Sequence, residues 1–203
     1  MNLALIDAGG ANLGSVRYAL ARLGVEPRIV RDADALGAPD RIILPGVGAA
    51  APAMALLRER GLDRALIASA APLLGICLGM QLLFDASAEG DVDCLGLLPG
   101  RVEKMTGARG IRIPHMGWNR LEPRARADGA SWRLLDGIET GAYAYFVHSY
   151  AVPVLDCTAA SSVHGATFSA AVECGRLFGM QFHPERSSEV GLRMLANFLK
   201  VSA

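Results

Sequence analysis

One cysteine lies between two glycines, in Leu74-Gly75-Ile76-Cys77-Leu78-Gly79-Met80-Gln81, after an apolar run and before a helix-like stretch. That layout is a nucleophile elbow. A strand turns sharply into a helix, and glycine permits the tight, strained path that lifts one side chain clear of the sheet edge. A thiol attacks a carbonyl as the thiolate, so it needs a lowered pKa or a neighbouring base. Far downstream, Gln181-Phe182-His183-Pro184-Glu185 offers His183 as that base and Glu185 as its orienter. Pro184 pushes His183 toward an extended conformation. In an extended segment, residues two apart leave the same face. Glu185 would orient the imidazole and stabilise its charged form. The helix start after Gly79 would add the positive end of a dipole beside Cys77. The chemistry implied is thiol-based acyl transfer.

Such chemistry also needs donors for the developing oxyanion. Pro45-Gly46-Val47-Gly48 follows another strand-like run. In a parallel sheet it would emerge at the same carboxyl edge as Cys77. Glycines on both sides of Val47 free its peptide unit to turn an N–H toward the oxyanion, and the N–H of Leu78 is the natural second donor. Cys94, Cys157 and Cys174 have neither an elbow nor a nearby base and read as packing residues. No four-ligand spacing suggests zinc.

The elements that must position these groups alternate in the N-terminal half. Residues 3–7, 27–30, 41–44 and 72–77 read as strands. Residues 12–23, 53–57, 62–70 and a stretch starting over 80–86 read as helices, with Asn12 or Ser15 as a cap for the first. Alternation of this kind implies an α/β fold: a three-layer arrangement with a mostly parallel sheet and helices on both faces. From about Val92 the character changes. Residues 100–105, 111–118, 143–152, 158–164, 170–174 and 177–183 read as antiparallel or mixed strands, an extension of that sheet. Residues 123–131 read as an exposed loop, and Ser187 or Ser188 caps a closing helix. With no linker and no repeat, 1–203 reads as a single domain.

Composition narrows the options further. Twenty basic and twenty acidic residues balance, with aromatics at 6%, so neither a basic nucleic-acid surface nor base-stacking platforms are indicated. No window approaches roughly eighteen apolar residues without Gly, Pro or charge, which argues against a membrane span. Residues 1–7 read as a first strand and not as a signal peptide. Four cysteines without paired spacing point to a reduced, cytoplasmic setting.

Gly-Ile-Cys-Leu-Gly-Met-Gln with the distant Gln-Phe-His-Pro-Glu resembles the class I, triad-type glutamine amidotransferases, over nearly the whole chain. The resemblance implies that glutamine is hydrolysed through a cysteinyl thioester on Cys77, with His183 as base and Glu185 as its orienter. It also implies oxyanion donors at Val47 and Leu78, and a glutamine site formed by Gly48, Gln81, Glu89, His148, Ser149 and Tyr150. It implies no cofactor and no metal. Four further segments, 6–13, 44–48, 113–119 and 145–150, are most similar to the branch of that family serving histidine biosynthesis. Of these, Pro114-His115-Met116-Gly117-Trp118-Asn119 is the most specific. Members of that branch pass ammonia through a channel to a separate TIM-barrel cyclase. That partner would make imidazole glycerol phosphate and aminoimidazole carboxamide ribonucleotide. Trp118 is the candidate interface anchor, with a core tryptophan as the alternative.

Some positions depart from the branch pattern. Ala8 stands where Tyr is common, Ala11 where Gly is common, Ala50 where an aromatic is common and Arg186 where Lys is usual. Two other readings compete: the glutaminase of a different synthase, such as pyridoxal phosphate synthase, and a catalytically idle module on the same scaffold. Pro114 to Asn119 argues against the first, and the intact Cys77, His183 and Glu185 against the second.

Overall fold

The computed structural model describes residues 1–9, 12–107 and 110–201. At its centre is an eight-stranded sheet, ordered Arg28–Val30, Leu3–Ile6, Arg41–Gly46, Leu73–Cys77, Leu177–Met180, Ala166–Cys174, Thr158–His164, Glu122–Pro123. The first five strands run parallel. The rest join antiparallel.

Successive strand residues alternate between two cores, because side chains leave a strand on opposite faces. Leu3, Leu5, Ile43 and Leu74 pack with Leu20 and Phe198 of the helices Leu13–Arg22 and Ser188–Lys200. Ala4, Ile6, Ile42 and Leu44 pack on the other face with Leu57 and Leu66 of Ala50–Glu59 and Leu62–Ala68. Each buried Leu or Ile contributes roughly 1.5–3 kcal/mol. This is the three-layer α/β arrangement expected from the alternation.

Local expectations are corrected at several points. The helix read over 80–86 is a single turn, Leu78–Gln81, and Phe84–Ser87 is a strand. Leu82, Leu83 and Phe84 are all fully buried. Their carbonyls accept from Leu95, Leu97 and Leu98, and from Gly96, so tertiary pairing overrides the helical pattern. The strand carrying the chain to His183, Leu177–Met180, lies parallel to Leu73–Cys77, within the mixed pairing expected of this part of the chain. A tight hairpin through Gly175 makes it antiparallel to Ala166–Cys174 on one side, which leaves it running with Leu73–Cys77 on the other. The stretch 143–152 breaks at Ser149. Tyr143–His148 pairs with His115–Arg120, and Tyr150–Ala151 pairs with Leu98–Lys104 of a separate four-stranded sheet. The strand expected over 111–118 begins at His115, beyond Pro114, which has no N–H to give a ladder.

Candidate active site

The sheet register brings the chemistry to one edge. Cys77 pairs with Gly46 on one side, and Ile76 pairs with Met180 on the other. Val47 and Leu78 therefore follow directly neighbouring positions, and His183 follows Met180 at the same carboxyl edge. Cys77 is buried and holds φ 53°, ψ −111°. Such backbone costs on the order of 1–3 kcal/mol and persists only where surrounding structure enforces it. The flanking glycines serve close approach, while the strain expected of them is carried by Cys77 itself. A Cβ on Gly79 would sit 1.8 Å from the Leu44 carbonyl oxygen, and one on Gly75 would sit 2.5 Å from that of Gly79.

His183 is fixed from both ends of its peptide. Its N–H donates to the Tyr145 carbonyl at 2.9 Å. Its carbonyl accepts from Ser187 Oγ at 2.7 Å, and that hydroxyl accepts from the Tyr145 N–H at 2.9 Å. Ser187 occupies the N-cap of Ser188–Lys200 as expected, yet its side chain makes no capping bond there. The His183–Glu185 segment is not extended: Pro184–Arg186 is a 3₁₀ turn with proline at its start, where a fixed φ suits it. The turn still brings Glu185 Oε1 to 2.9 Å from His183 Nδ1. Nδ1 donates to the carboxylate, which turns Nε2 toward Cys77.

Burial alone would push His183 down. Hydrogen bonding to Cys77 and Glu185 and their negative charge instead raise it to about 10. Burial would push Glu185 up, but its bond to His183, with help from Asn12, holds it below the ordinary carboxylate value. The geometry therefore favours a protonated His183 held between Cys77 and an ionised Glu185. The single turn after Cys77 aligns too few peptide dipoles to add much to the field at the thiol. Burial pushes Cys94 and Cys157 up to about 11, which makes them poor nucleophiles.

A hollow of about 170 Å³ opens on Cys77 and His183, and Val47, Gly48, Leu78, Gln81, Glu89, His148, Ser149 and Tyr150 line it with Val147. Ligand pockets for drug-sized molecules span about 300–1,000 Å³, so this one suits a small metabolite. Every residue expected at the oxyanion and glutamine sites lines it with Cys77 and His183, whereas Glu185 does not line it and reaches it only through its bond to His183. Glu89 accepts from the Ala50 N–H at 3.0 Å and so caps the helix Ala50–Glu59. Gln81 Nε2 donates to the Tyr150 carbonyl and to Gln181 Oε1, both at 2.9 Å. Two larger hollows, of about 710 and 620 Å³, surround Trp132 away from Cys77 and contain no nucleophile–base pair.

Two functional side chains lie outside the expected set. Asn12, read as a helix cap, makes no capping bond. Its Nδ2 donates to Glu185 Oε1 at 2.5 Å and lies 3.3 Å from His183 Nδ1. Gln181, fully buried, points Nε2 at Cys77 Sγ at 3.8 Å. Only its place beside the His-Pro-Glu motif could have flagged it.

Trp118 is half exposed and meets Tyr145 edge-on, with ring centroids 5.8 Å apart. Arg186 lies over the same tyrosine at 5.7 Å. Ala8 is half-buried beside Asn12 and Val47, Ala50 is fully buried, and Ala11 lies outside the described residues. Among the described residues no helix is long and apolar enough to cross a membrane.

The Glutamine amidotransferase class-I family model matches residues 4–201. The chain is 61% identical over 201 residues to the imidazole glycerol phosphate synthase subunit HisH of Xanthomonas campestris, covering 99% of this chain and 98% of that protein. It is 59% identical to the protein of the same name from Xylella fastidiosa, with the same coverage. A crystal structure described as glutamine amidotransferase superposes with TM-score 0.75 at 22% identity, covering 98% of each chain. A putative GMP synthase protein from Thermoplasma acidophilum superposes with TM-score 0.73 at 21% identity, covering 98% of this chain and 92% of that one. These two likenesses concern the fold.

Proposed function

The chain belongs to the class-I glutamine amidotransferase family, and we propose that it works as the glutaminase half of an imidazole glycerol phosphate synthase. Residues 1–203 act as one domain. The observation that carries the chemistry is the buried Cys77–His183–Glu185 set opening on a small hollow. Full-length relatives named as subunits of that synthase support the pathway.

Glutamine enters with its side-chain amide at Cys77, and Glu89 receives its free ammonium group. Cys77 Sγ bonds to the amide carbon while the N–H groups of Val47 and Leu78 take up the charge on oxygen. The C–N bond breaks, and His183 gives its proton to the nitrogen, which leaves as ammonia. Water then attacks the thioester and passes a proton to His183. The C–S bond breaks and glutamate departs, restoring the thiolate–imidazolium pair. Glu185 keeps Nδ1 protonated throughout, so Nε2 does the transfers.

Ammonia passes through a channel to a TIM-barrel cyclase, which makes imidazole glycerol phosphate and aminoimidazole carboxamide ribonucleotide. Trp118, Tyr145 and Arg186 supply an exposed aromatic and cationic patch close to His183, the composition of an interface hot spot. A thiol that must stay reduced suits the cytoplasm. The test is to purify the chain with and without the cyclase. Glutaminase activity should be low alone and rise when cyclase and its nucleotide ligand are added. Full activity alone, or none in the complex, contradicts the assignment.

A further inference from the structure

The strand His115–Arg120 has two faces with different occupants. Met116 and Trp118 point outward and are 63% and 52% exposed, whereas His115 points inward and is buried. His115 Nδ1 lies 2.9 Å from His148 Nε2, across the register that pairs the two residues. His148 Nδ1 lies 2.9 Å from the Tyr150 carbonyl oxygen. Asn119 Nδ2 lies 3.2 Å from His115 Nε2 and donates to the Val163 carbonyl at 2.9 Å.

Carbonyls accept only, and with both rings neutral that fixes every proton in the series. His148 must carry hydrogen on Nδ1 to donate to Tyr150. Burial holds His148 near 4 and His115 near 3, so both rings are neutral at physiological pH. His148 Nε2 is then bare and accepts from His115 Nδ1–H, which leaves His115 Nε2 to accept from Asn119. Both histidines are held as the Nδ1–H tautomer, the less common form of a free imidazole.

The far end of this series is the hollow beside Cys77. His148, Ser149 and Tyr150 line it. The Tyr150 carbonyl is gripped twice, by His148 Nδ1 and by Gln81 Nε2. Gln81 in turn donates to Gln181, whose Nε2 points at Cys77 Sγ. Ser149 is the break between two small sheets, and its carbonyl accepts from the Met105 N–H at 2.9 Å.

We propose that His115 is a positioning residue for glutamine: through His148 it holds the 148–150 backbone in the conformation that receives the substrate. This rests on reading the hollow as the glutamine site. The outward face of the same strand carries Trp118, so the element that meets a partner also sets the substrate wall.

The test uses the full chain. Ring ¹⁵N spectra of the wild type should place both His115 and His148 in the Nδ1–H form, and His148 in the Nε2–H form overturns the proposal without any variant. Saturable labelling of Cys77 by diazo-oxo-norleucine then reads the glutamine site, and iodoacetamide reads bare thiol reactivity. His115→Phe keeps the ring stacked on Phe146 and His164 but loses the donor. His115→Asn keeps a donor where Nδ1 stood but loses the ring. Half-saturation for the norleucine reagent should rise about tenfold in His115→Phe and fall back to within about threefold of wild type in His115→Asn, with iodoacetamide rates unchanged. The reverse order, Phe tolerated and Asn impaired, means that His115 only packs. A wild type that the reagent does not label saturably sinks the glutaminase reading, while the tautomers still judge the histidine series.

Discussion

Asn12 Nδ2 stands 2.5 Å from Glu185 Oε1, joining the start of the first helix to the turn that carries Glu185. Glu185 Oε2 is buried and without a hydrogen-bond partner among the described residues. His183 and Asn12 therefore hold this side chain through a single oxygen. The carboxylate can orient the imidazole only if Asn12 keeps it from rotating.

Asn12→Ala should therefore lower kcat more than it raises KM. A hydrogen bond to a charged group contributes about 1.5–3 kcal/mol, which corresponds to about 10–100-fold in rate. Steady-state glutaminase kinetics of the complex would measure it. An unchanged kcat with a raised KM would place Asn12 in substrate binding.

Cys77 carries a positive φ that glycine tolerates and alanine does not. Cys77→Gly should melt higher than Cys77→Ala by about 2–4 °C, the shift expected for about 1 kcal/mol in a chain of this size. Thermal denaturation of the two inactive variants checks this. A lower melting point for the glycine variant would mean that the elbow is not strained.

The raised pKa of His183 links stability to pH with a definite sign. The folded value is about 10 against an ordinary 6.5. Protonated His183 thus contributes its stabilisation fully below pH 6.5, and this contribution is lost as pH rises from there through about 10. Cys77→Ala removes one of the groups that raise His183. The wild type should lose more stability than that variant between pH 6.5 and 10 in urea melts. Parallel losses would mean that Cys77 does not pair with His183.

Trp118 is a large exposed aromatic edge-on to Tyr145 beside Arg186. Trp118→Ala should weaken cyclase binding by about 2 kcal/mol, roughly 30-fold in Kd, while leaving the fold intact. Calorimetric titration against the cyclase gives the number. An unchanged Kd would place the interface elsewhere.

The triad and the layered sheet were legible because each rests on short-range chemistry. Glycines flank a cysteine at a strand end, a proline sits between His183 and Glu185, and apolar residues repeat with the period of buried strands and helices. What escaped the sequence was set by contacts distant along the chain. Phe84 joined a strand because the 94–98 backbone was there to pair with it. Asn12 looked like a cap because caps are local, and Glu185 approaches it only through the fold. The 3₁₀ turn at Pro184 reached the geometry expected of an extended segment by another path.

The most direct test is the Cys77→Ala protein in complex with the proposed cyclase partner, assayed with glutamine and, separately, with ammonium salt. Glutamine-driven synthesis should fall by about a thousandfold or more, because no other residue replaces the nucleophile. Ammonia-driven synthesis should stay within about twofold of wild type, since the cyclase chemistry does not use Cys77. Retained glutamine-driven synthesis would mean that Cys77 does not form the thioester from which ammonia is released.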